Sequence, residues 1–99
     1  MNEEFNKKIV KDFGLENMDS RERERMIEKI GNMLFESVVE RAVDVMDENT
    51  MNDFEETVTN AGSDYQKVIE FLKTRVTNFD KIVAEEMSRL KRATSGIFA

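Results

Sequence analysis

Apolar residues recur at helical spacing along almost the whole chain. Phe5, Ile9 and Phe13 sit at i, i+4 and i+8, which predicts a short amphipathic helix over 3–13 that Gly14 stops in the left-handed region. From Asp19 the pattern continues to Glu48, and this stretch is the element around which the others are arranged. At roughly 100° per residue, Ile27, Ile30, Leu34, Val38 and Val45 share one side, while Phe35, Val39, Ala42 and Met46 form a second stripe. A helix apolar on two sides belongs in the middle of a bundle. Asp19 and Glu22 have the spacing of a capping box at its start, and Gly31 lies between the stripes, where another backbone could come close.

Three further helices follow. Residues 50–61 open on Thr50 with Asp53, turn Met51, Phe54 and Val58 inward, and end at Gly62. Residues 64–76 open on Ser63 with Gln66 and carry a stripe of Tyr65, Val68, Ile69, Leu72 and Val76, from which Phe71 departs. Residues 78–94, capped by Thr77 or Asn78, direct Phe79, Ile82, Val83, Met87, Leu90 and Ala93 inward. Ser95-Gly96 is expected to release this helix and Ile97-Phe98-Ala99 to fold back. Short connectors make neighbours antiparallel. The expectation is an all-α compact bundle of about five helices around a long central second helix, in one domain over 1–99. A helix over 19–48 would span roughly 45 Å, against a radius of gyration near 13 Å for a globule of this size. It must bend, break near Gly31, project, or pair with a second copy. The last option makes a homodimer one expectation.

Composition narrows the chemistry. With 0 Pro and 4 Gly in 99 residues, little interrupts helices. With no Cys and no His, there is no disulfide framework, no thiolate nucleophile and no common general base or transition-metal ligand. A net charge of −6 argues against broad attachment to nucleic acid or anionic lipid. The N-terminus lacks an apolar signal core and no apolar run has spanning length, so a cytoplasmic protein away from membranes is expected.

Two charges fall inside apolar stripes. Arg41 lies about 20° from Leu34, and Glu86 about 20° from Phe79. A charge buried alone costs several kcal/mol, so the simplest arrangement packs the second helix on the fifth and joins Arg41 to Glu86. The alternative is that both lie at stripe edges and reach water separately. Asp47-Glu48-Asn49 resembles the opening of a calcium loop, but Asn52 stands where glycine is required and Val58 where the bidentate glutamate belongs. The acidic residues from Glu40 to Glu56 read instead as a solvated surface. Glu36, Glu40, Glu85 and Glu86 could offer carboxylate ligands, but helical di-iron sites also use His. No metal, cofactor or catalytic residue is assigned, and no enzyme is expected.

Phe71-Leu72-Lys73 through Val76, and Asn78-Phe79-Asp80-Lys81-Ile82-Val83-Ala84-Glu85-Glu86, resemble a family of small helical bacterial proteins known only as a domain of unknown function. Leu15 and the region of Arg41 look similar too, so the likeness covers most of the chain. The resemblance implies a compact helical fold and no activity. The function expected from the residues is a non-catalytic protein-interaction or structural module with an unidentified protein partner. Phe35, Val39, Val43, Met46 and Phe71 are its candidate interface residues. The alternative is a small regulator touching nucleic acid through Arg89, Lys91 and Arg92, with Lys7, Lys8 and Lys11.

Overall fold

The computed structural model describes residues 3–94, the side chain of Glu4 excepted, and its regular elements there are all α-helices. They are α1 (Glu3–Asp12), α2 (Ser20–Asp44), α3 (Glu48–Ala61), α4 (Tyr65–Arg75) and α5 (Phe79–Ala93). The release at Ser95-Gly96 and the apolar tail lie outside the described residues.

Helix α1 closes with Gly14 at φ 66°. The Leu15 amide donates to the Val10 carbonyl at 2.9 Å and the Gly14 amide to Lys11 at 3.4 Å, the paired bonds of a Schellman ending. Leu15 is thereby driven into the core, where it is fully buried. Helix α2 starts beyond Asp19, whose carboxylate accepts from the Arg21 amide at 3.3 Å. It runs unbroken through Gly31 for 25 residues.

The expected extent of α2, to Glu48, is corrected: the helix stops at Asp44. The cause is Asp47, which is extended at φ −79°, ψ 174° and accepts the Thr50 amide at 2.7 Å. A carboxylate in that position starts a new helix, so α3 begins two residues ahead of Thr50 and the proposed Thr50–Asp53 cap does not form. Val45, assigned to the inner stripe, consequently lies past the helix end and is 63% exposed. Asp64 takes the cap expected of Ser63 by accepting the Gln66 amide at 3.1 Å. Asn78 precedes α5 in the left-handed region at φ 67°, and its side chain makes no capping bond. Val58, Tyr65 and Ala93, expected inward, are exposed.

The core is one cluster drawn from every helix, with Ile9, Leu15, Ile30, Leu34 and Leu72 its largest fully buried side chains. The buried line of α2 is Ile30, Gly31, Leu34, Val38 and Ala42. Of the expected second stripe, Ala42 joins that line, while Phe35, Val39 and Met46, together with Val43, are half-buried against the same cluster. Helix α2 packs mainly on α5 and α1, while α3 and α4 form a hairpin. Val45, Met46 and Asp47 share a hollow with Thr77, Asn78 and Lys81, and Arg41 meets Glu85 one turn further in, so α5 runs antiparallel to α2. The longest dimension is 44 Å, against the roughly 38 Å that 25 helical residues span, so α2 fits within the length of the fold. None of the helices is long and apolar enough to cross a membrane.

Candidate interaction surfaces

The charges set inside apolar stripes converge on the α2–α5 seam. Arg41 Nη1 lies 3.1 Å from Glu86 Oε2 and 3.0 Å from Glu85 Oε1. The second oxygen of Glu86 faces Arg89 Nη1 at 3.6 Å. Glu86 is 3% exposed, and among the described residues no buried polar side-chain atom lacks a hydrogen-bond partner. Hydrogen bonds from Arg41 to Glu85 first and Glu86 second raise the guanidinium pKa further above its ordinary value, so its charge is permanent. Sequence reasoning named Glu85 as a possible carboxylate ligand and Arg89 as a possible nucleic-acid contact, and placed neither beside Arg41 and Glu86. Arg89 was legible as an i+3 neighbour of Glu86. Glu85 projects about 100° away from Glu86 and had no local signal.

Phe71 does not stand free. Its ring centroid is 5.7 Å from that of Phe54 on α3, and the Arg75 guanidinium lies over the ring at 5.2 Å. It departs from the α4 stripe because α3 approaches from there. Phe71 is therefore half-buried against a neighbouring helix.

A different aromatic is more open. Tyr65, in the first turn of α4, is 52% exposed, with its ring centroid 5.0 Å from that of Phe35 on α2. Two adjoining hollows share Tyr65 and Asn32. One, of about 330 Å³, is lined by Asn6, Ile27, Glu24 and Glu28; the other, of about 280 Å³, by Gly31, Phe35 and Glu36. Together they make a groove with an apolar floor and a rim of carboxylates. Periodicity had placed Tyr65 in the core, because it weighs spacing and cannot see where a neighbouring helix ends.

The basic residues are dispersed. Arg89 and Arg92 line a hollow of about 500 Å³ with Arg41 and Lys81, but Glu85 lies in it as well. Lys7 and Lys11 line a separate hollow on α1, and Lys8 and Lys91 are exposed. Among the described residues no three or more carboxylates are gathered in a way that could hold a metal ion. The model of a family described as "Protein of unknown function (DUF5663)" matches residues 9–94. No curated protein and no solved structure matches.

Proposed function

The chain belongs to that family of unknown function, and on the strength of its own surfaces we propose that it is a non-catalytic helical module that binds another protein. The observation that carries this reading is the half-exposed Phe35–Tyr65 pair set in a groove. Aromatic side chains that keep one face open supply large contact area at small entropic cost, which is why they anchor interfaces. The rim of Glu24, Glu28 and Glu36 selects the partner. A segment that places an apolar side chain against Phe35 and Tyr65 and carries Lys or Arg beside it satisfies both floor and rim.

A photo-crosslinking amino acid in place of Tyr65, expressed in the native host, tests this. It should yield an adduct with another polypeptide that is lost when Glu24 and Glu28 are changed to Lys. The same probe at exposed Val58 should not yield that adduct. Identical adducts at both positions, or none at position 65, would overturn the reading.

A further inference from the structure

The outward side of α2 carries two ladders of like charge. Arg21, Arg25 and Lys29 stand at four-residue intervals near its start, and Glu36, Glu40 and Asp44 at the same interval near its end. All six are exposed, and none forms an ion pair among the described residues. Like charges four apart on a helix repel. The acidic ladder also runs into the C-terminal turns, where the helix dipole favours cations. Glu22 and Glu28, three residues either side of Arg25, offset part of this repulsion at the basic end, while Arg41, three residues from Asp44, is taken up by Glu85 and Glu86.

We infer that this face docks a second copy of the chain, with the two α2 helices antiparallel about a two-fold axis between Asn32 and Met33. In that register Lys29 meets Glu36 of the other copy, Arg25 meets Glu40, and Arg21 meets Asp44, each pair occurring twice. Moving the register by one turn either way leaves one cation without a carboxylate from α2, and a parallel arrangement sets like charges together. Packing of i±4 ridges from both helices, at a crossing of about 50°, lays such ladders side by side. The two-fold closes the assembly at two chains. Exposed ion pairs bind weakly and are screened by salt, so the dimer is reversible and salt-labile. This surface borders the Tyr65 groove, sharing Asn32 and Glu36 with it, and the charge match does not depend on the reading given to the groove.

Sedimentation velocity tests the inference on the whole chain. The wild type should approach the mass of two chains at low ionic strength and return to one in about 0.5 M salt, where charges are screened beyond a few Å. Arg21→Glu with Arg25→Glu should be monomeric alone, as should Glu40→Lys with Asp44→Lys. An equimolar mixture of the two variants should form a heterodimer, which also shows that both are folded. A wild type that stays monomeric at low salt and high concentration would overturn the inference. So would a dimer that survives either charge reversal, or a mixture that does not associate. The groove residues Tyr65, Glu24, Glu28 and Glu36 are untouched in these variants, so the crosslinking result stands apart from this one.

Discussion

Arg41 and Arg75 each reach from one helix to a carboxylate on another, at very different depths. Arg41 reaches across the α2–α5 seam to Glu86, which is sealed from water. Arg75 spans the α3–α4 hairpin to Asp53 at 2.9 Å, with both partners well exposed. A charge sunk in a core face has no substitute partner, whereas an exposed one exchanges a carboxylate for water at little cost. The α2–α5 seam joins elements distant in sequence, and its ion cluster fixes how they meet. The α3–α4 hairpin is brought together by the short link through Gly62 and by Phe54 and Phe71.

The sharpest way to break this comparison is through the apolar part of the seam. Leu34→Ala should cost about 2–5 kcal/mol in denaturant unfolding, since the side chain is fully buried in the core cluster that α2 and α5 share. A loss under about 1 kcal/mol would remove α2 from the centre of the fold. Next comes Glu86→Gln, which turns an amide group toward Arg41 and Arg89 in place of carboxylate oxygens. It should cost about 1–3 kcal/mol. Combined with Arg41→Met, it should destabilise by less than the two single changes together, and strictly additive losses would mean that the two side chains do not interact. Arg75→Gln should stay within about 1 kcal/mol of wild type by thermal melting, and a larger loss would erase the distinction between the two pairs.

The smallest effect concerns the α2–α3 junction. The Thr50 backbone amide, with the Thr50 side chain, lowers the Asp47 pKa below its ordinary 3.8. The folded state therefore releases this proton more readily than the unfolded one. The cap's contribution is full above the unfolded pKa and fades as pH falls through the lower folded value. Asp47→Asn should keep the cap and remove this acid-limb dependence from the melting curve, and an unchanged acid limb would assign it to another carboxylate.

Much of the fold was legible, for reasons that also explain what was not. Leu34, Leu72 and Ile82 repeat at helical spacing, and Gly14 and Gly62 punctuate it, so helix number and inner faces follow from local order. Arg41 and Glu86 stood out because a charge in an apolar stripe breaks a rule that is local and visible. Glu85 and Tyr65 did not stand out correctly, because their surroundings depend on how α5 and α4 come to lie against α2. The α2 boundary was missed because Asp47 was read within an acidic run, not as the carboxylate three residues ahead of a free amide. Acidity is a sum over a stretch, but capping depends on a single position.

Glu86 also dictates how α5 is seated in azimuth. Turned by a single residue, the helix would swing its sealed carboxylate out by about 100° and push a neighbouring side chain toward α2. The seam therefore accepts α5 as a keyway accepts a shaft, in one angular setting. An insertion or deletion of one residue between Val76 and Phe79 asks the short link to absorb a full rotation or the key to leave its slot. Length changes in that link should be tolerated far less than changes of residue type.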